Sequence, residues 1–151
     1  MFSAVNQPRG ISFNVVTSEK IHIQLPVPEN WTTDMVFGEP AFFTAMDPSE
    51  RSELFVFLFP PDVDTTEMEN YFTKLWPEQC PAQLPEGQTE PEISGYPTEC
   101  LYLNKIKRET TIYFVEHTHG GYAFIKSVTQ DTTPKEREIL TYMLSQLRII
   151  E

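Results

Sequence analysis

The chain has 151 residues, 40% of them hydrophobic and 13% aromatic, which suits a single domain over 1–151 and argues against a disordered chain. Its 22 acidic and 11 basic residues give a net charge of −11, so nucleic acid and anionic membrane are not expected as partners. No apolar run approaches the roughly 18 residues of a membrane helix, and Met1 to Gly10 lacks the apolar core of a signal peptide, so a cytoplasmic setting is expected.

Ile11 to Val16 and Ile21 to Leu25 read as two strands of a hairpin; Ile21, Ile23 and Leu25 alternate with His22 and Gln24, the period of a half-buried strand. His22 falls on the polar side and reads as solvated. Pro26 to Trp31 cannot continue a central strand, because proline lacks a ladder donor; it reads as a loop anchored by Trp31. A second hairpin joins Ala41–Met46 to Leu54–Phe59 through Asp47-Pro48-Ser49-Glu50, a type I turn with Asp first and Pro second. Six consecutive apolar residues, Leu54 to Phe59, predict a strand covered on both faces.

Asp64-Thr65-Thr66-Glu67 predicts a helix start. Met68, Tyr71, Phe72, Leu75 and Trp76 then form one helical stripe, read as a core face, with a ligand groove as the alternative. Glu78 to Glu92 is a long Pro/Gln/Glu stretch. It reads as a solvated loop, or as an acidic docking surface for a basic partner through Glu78, Glu86, Glu90 and Glu92. Cys80 and Cys100 read as free thiols, or as a bridge from this loop to a strand.

Thr98–Asn104, Thr110–His117 and a third strand form a meander. Gly120-Gly121 is taken as its second turn, because glycine accepts φ > 0. His117 would then oppose Phe124. One face would carry Tyr113, Val115, Tyr122, Phe124 and Val128; the other, Ile112, Phe114, Ala123 and Ile125. Both faces are apolar, so both require cover. Thr133-Pro134-Lys135-Glu136 is a strong helix start, followed by the stripe Ile139, Leu140, Met143, Leu144 and Leu147.

No phosphate-binding loop, nucleophile elbow or HExxH motif is present, and no cofactor is expected. His117 and His119, at i and i+2 on a strand, share a face and form a weak metal candidate. A metal would need further ligands on that face; His22 or a carboxylate from another strand could supply one, but nothing in the sequence places them there, and residues next to a turn are expected to be polar. Lys105 to Arg108 is a basic cluster at a hairpin tip.

The order of elements, the Pro28-Glu29-Asn30-Trp31 loop and the closing helix through Leu144-Ser145-Gln146-Leu147-Arg148-Ile149 resemble the Mog/PsbP-like superfamily, from about Ser12 to Ile150. That group includes Ran-binding Mog proteins, photosynthetic PsbP proteins, bacterial DcrB-like proteins and Eag-type chaperones of type VI secretion effectors. The resemblance implies an α+β fold, an α/β/α sandwich with a central antiparallel sheet of about six strands flanked by helices, used for protein binding. The acidic chain with no export signal looks most similar to the secretion-chaperone branch.

Three functions remain open at this point. The first is an adaptor or chaperone for a secreted effector, with Tyr113, Tyr122 and Phe124 as candidate contacts and a homodimer compatible with it. The second is a small metal-dependent enzyme using His117 and His119. The third is an acidic immunity-type inhibitor of a toxin, acting through Glu78, Glu86 and Glu90.

Overall fold

The computed structural model describes residues 7–75, 80–82, 92–105 and 108–150. Twelve strands and two helices occur among them. In chain order they are β1 (Phe13–Ser18), β2 (Ile23–Pro28), β3 (Thr32–Val36), β4 (Ala41–Met46), β5 (Ser52–Phe59) and α1 (Thr65–Leu75), then β6 (Cys80–Ala82), β7 (Glu92–Ile93), β8 (Tyr96–Pro97), β9 (Glu99–Lys105), β10 (Arg108–His117), β11 (Gly120–Thr129), α2 (Pro134–Gln146) and β12 (Arg148–Ile149).

The expected six-stranded sheet flanked by helices is not what forms. The molecule is mostly β. Its main sheet has seven strands in the order β3-β4-β5-β11-β10-β9-β6, and a second sheet has three, β1-β2-β12. The physical reason lies in the short segments. Thr32–Val36 is too polar to advertise a strand, yet it pairs along β4 as an edge strand. The final Arg148-Ile149 pairs with Gln24 and Ile23, adding a strand to the layer that a helix was expected to fill.

Two apolar clusters sandwich the main sheet. On one face Ile23, Leu25 and Val27 of β2, with Ile139, Leu140 and Met143 of α2, pack onto Phe43, Val56, Tyr113, Tyr122 and Phe124. On the other face Met68 and Phe72 of α1 pack onto Phe57, Phe59, Ile112, Phe114, Ala123 and Ile125. Phe72 meets Phe57 edge-on, with ring centroids 5.0 Å apart, a favoured aromatic geometry. The two faces read from the meander are therefore the two faces that form.

The turn between β10 and β11 is not where Gly-Gly suggested. Thr118 and His119 make it, and His117 pairs with Gly120, not Phe124. The displacement is an even number of residues, so no side chain changes face. The glycines serve a different need. A Cβ on Gly120 would lie 2.0 Å from the Phe59 carbonyl oxygen, and one on Gly121 2.8 Å from Met68 Sδ. They let β11 lie against β5 and beneath α1.

Pro26 and Pro28 also correct the expectation: both lie inside β2. The Glu29 N–H points toward β1, donating to the Ser12 carbonyl, so by alternation the nitrogens of Pro26 and Pro28 point away from β1. On that side β12 pairs only with Ile23 and Gln24, so no ladder donor is missed. Trp31 is buried, as an anchor should be.

Both helix starts form as read. Asp64 accepts from the Glu67 N–H at 2.8 Å, and Thr133 with Glu136 makes a complete capping box. Backbone register sets Cys80 opposite Asn104. At about 3.3 Å per residue that is roughly 13 Å along β9 from Cys100, too far for the backbones of a disulfide.

Candidate functional site

The three histidines of the chain meet at one end of the main sheet. His22 reaches it because its backbone turns through a left-handed conformation, φ 57°, just before β2. Its ring stacks on His119, centroids 4.1 Å apart; His119 lies 4.4 Å from the ring of His117. Tyr96 and Tyr122 meet His117 edge-on. His22 is therefore not the solvated strand residue expected from its alternation. The strand begins two residues later than read, at Ile23, because Ile21 and His22 belong to the turn.

The hydrogen bonds give the cluster a structural job. His119 Nε2 is 3.0 Å from the Ile150 carbonyl oxygen; a carbonyl only accepts, so Nε2 is the donor. The Ile150 N–H in turn donates to the His22 carbonyl at 2.8 Å. The Tyr122 hydroxyl donates to the Ile21 carbonyl at 2.6 Å in the buried core. His22 and His119 thus clasp the chain just beyond β12 from both sides. His117 Nδ1 accepts the His119 backbone N–H at 3.0 Å, which places the proton of neutral His117 on Nε2.

This arrangement suits neither a metal nor an activated nucleophile. The His22 and His119 rings lie face against face, whereas ligands must converge ring nitrogens on one point. Among the described residues no group of three or more His, Cys, Asp or Glu side chains could hold a metal ion. Thr118 Oγ1 stands 3.5 Å from His117 Nδ1, longer than an activating hydrogen bond. His117 also borders a cleft of about 240 Å³ with Asp62, Asp64, Glu116 and the Gly120-Gly121 backbone. Asp64 there is occupied in capping α1.

The other candidates fall elsewhere. Tyr113, Tyr122 and Phe124 are 5%, 0% and 0% exposed; they lie under α2 and the small sheet and present no surface to a partner. Glu78, Glu86 and Glu90 lie outside the described residues.

Exposed apolar surface instead gathers at the β3 edge. Phe37 is 71% exposed and Val36 39%. Val36 pairs with Phe42, so the two share a face, and Phe42 stacks on Phe57 at 4.5 Å. Phe42 and Phe55 are half-buried beside the α1 cluster, because an 11-residue helix cannot span seven strands. Among the described residues no strand pairs with the outer edge of β3. Sequence reading missed this edge; the only signal was Val36-Phe37 following a polar run.

A second feature ties α2 to the β4–β5 turn. Glu136 accepts from Arg51 at 2.7 Å and from the Ser52 hydroxyl at 3.1 Å. Asp47 accepts from the Ser49 hydroxyl and from the backbone N–H groups of Arg51 and Ser52. Burial alone would raise the Asp47 pKa, but these donors outweigh it and hold the carboxyl below its ordinary value. Glu53 shows the opposite result. Burial raises its pKa, and Arg108, 3.4 Å away, offsets that only in part.

No described helix is long and apolar enough to cross a membrane. No protein-family model and no curated protein matches the chain. Solved structures do resemble it. The solution structure of cyanobacterial PsbP (CyanoP) from Synechocystis sp. PCC 6803 aligns over 99% of this chain and 97% of its own, with a TM-score of 0.64 and 12% identity. A crystal structure from Bacteroides thetaiotaomicron aligns over 91% of this chain with a TM-score of 0.51 and 12% identity. The chain spans about half of that protein's length, 48%. At this identity the likeness is one of architecture: the chain has the PsbP-like fold.

Proposed function

We propose that the chain is a single, non-catalytic protein-binding module that receives an extended segment of a protein partner along the open edge of β3. The observation that carries this reading is the exposed Val36-Phe37 pair at the end of β3, an edge strand whose outer side pairs with no other strand among the described residues. Such an edge offers backbone donors and acceptors for strand addition, and neighbouring apolar side chains give the added strand something to pack on. Asp34 sits mid-strand. In an antiparallel pairing of two copies centred there, it would oppose its own counterpart, which disfavours self-association.

The narrower reading is a cytoplasmic adaptor or chaperone for a secreted type VI effector. It rests on the resemblance described above and on the net charge of −11. Under it, the effector supplies the extended apolar segment.

A photo-crosslinking amino acid placed at Phe37, with a control at the equally exposed Val15, tests the reading in the native cell. The expected result is one discrete crosslinked polypeptide from position 37 and none from 15. No adduct at 37, or the same adducts at both, would refute it. An adduct of twice the chain mass would identify a homodimer instead.

A further inference from the structure

A groove of about 720 Å³ runs between the N-terminal segment and the outer face of α2, lined by Gln7, Pro8, Arg9, Pro134, Lys135, Arg137, Glu138 and Thr141. Its charge runs against that of the molecule. Three of the chain's 11 basic residues line it, with one carboxylate, in a protein of net charge −11. The N-terminal wall is held in place: Pro8 is buried, and Lys135 Nζ donates to the Arg9 carbonyl at 2.6 Å. That bond uses one of three ammonium protons. The Arg9 carbonyl neutralises no charge, so Lys135 keeps its attraction for an anion. Among the described residues the ion pair of Arg137 is a long one, to Glu109 at 3.8 Å, with both side chains largely exposed; such a pair is weak and readily exchanged.

We infer that this groove binds a short acidic peptide segment of a partner protein, its carboxylates meeting Arg9, Lys135 and Arg137 and its apolar side chains resting on Pro134. Charge complementarity argues for the occupant. The molecule's net charge of −11 repels an acidic chain at long range, so an acidic segment is held where cations outnumber carboxylates, as they do in this groove. Three cations are too few to hold nucleic acid against the overall charge. A groove open along its length buries a chain better than a small molecule, which needs enclosure to hide most of its surface. The groove is separate from the β3 edge and does not depend on the strand-addition reading.

Fluorescence anisotropy with a labelled peptide of alternating Glu and Leu, against the same peptide with Gln for Glu, tests the inference. The acidic peptide is expected to bind saturably and to weaken as salt is raised from about 50 to 300 mM, because exposed charge pairs are screened. An Arg9→Glu/Lys135→Glu double variant should weaken binding about tenfold or more. Lys20→Glu, a charge change on the exposed turn before β2, should weaken it less than about twofold. Unchanged thermal unfolding would show that the variants remain folded. Three results would overturn the inference: no saturable binding, equal binding of the Gln peptide, or competition by inorganic phosphate at the concentration of the acidic peptide.

Discussion

His22 stacks on His119 at 4.1 Å, and between them they hold both backbone polar groups of Ile150, His22 through its carbonyl and His119 through Nε2. Residues 97 positions apart in sequence are thus joined to fasten the end of the chain. His119→Ala removes the stack and the hydrogen bond to Ile150 together. It should cost about 1–2 kcal/mol in urea unfolding and speed amide exchange at Ile149 and Ile150. His22→Gly should cost less than His22→Ala, because glycine accepts the left-handed backbone that alanine resists.

Gly120 and Gly121 separate a backbone collision from a side-chain one. Gly120→Ala drives a methyl into the Phe59 carbonyl, which is fixed in the ladder, and φ at Gly120 is 141°. A loss of about 3 kcal/mol or more is expected. Gly121→Ala meets the flexible end of Met68, and a loss of about 1–2 kcal/mol is expected. Denaturant midpoints of the two variants give the comparison.

Asp47 and Glu53 should drive acid stability in opposite directions. The Asp47 pKa is lowered in the fold. Its contribution is therefore present above the unfolded value of about 3.9 and is lost as pH falls through the lower folded value. Asp47→Asn should cost about 1 kcal/mol at pH 7, and the deficit should begin to shrink once pH falls below about 3.9. The Glu53 pKa is raised, so its contribution is complete below about pH 4.3 and lost as pH rises through the folded value. Glu53→Gln should equal or exceed wild type at pH 7 and lose that advantage by pH 4. Urea unfolding from pH 3 to 7 tests both.

Much of the core was legible because strand alternation survives errors of turn placement. Moving the β10–β11 turn from Gly120-Gly121 to Thr118-His119 changed every partner, yet Tyr113 and Phe124 stayed on one face and Ile112 and Ile125 on the other. The capping residues Asp64 and Thr133 were equally readable, since their chemistry lies within four residues. Long-range features were hidden. Nothing near His22 announces a left-handed turn that delivers its ring to His119, and the pairing of Arg148-Ile149 with β2 depends on where α2 ends. Alternation marks Tyr113, Tyr122 and Phe124 as apolar, but it does not say which apolar face is covered. They proved to be core, while the exposed apolar pair lay on β3, which its polar residues disguised.

Phe37 is the residue on which the partner reading turns. With 71% of its surface exposed, Phe37→Asp should leave stability within about 0.5 kcal/mol of wild type, and the partner's affinity should fall about tenfold or more. Thermal unfolding and titration with the partner recovered by crosslinking give the two values.

Amide hydrogen exchange across β3, compared between the free chain and its complex with that partner, tests strand addition most directly. The account predicts that outward-pointing amides within Thr32–Val36 become strongly protected on binding, since an added strand takes their hydrogen bonds. Unchanged exchange along β3, with protection appearing elsewhere on the molecule, would contradict it.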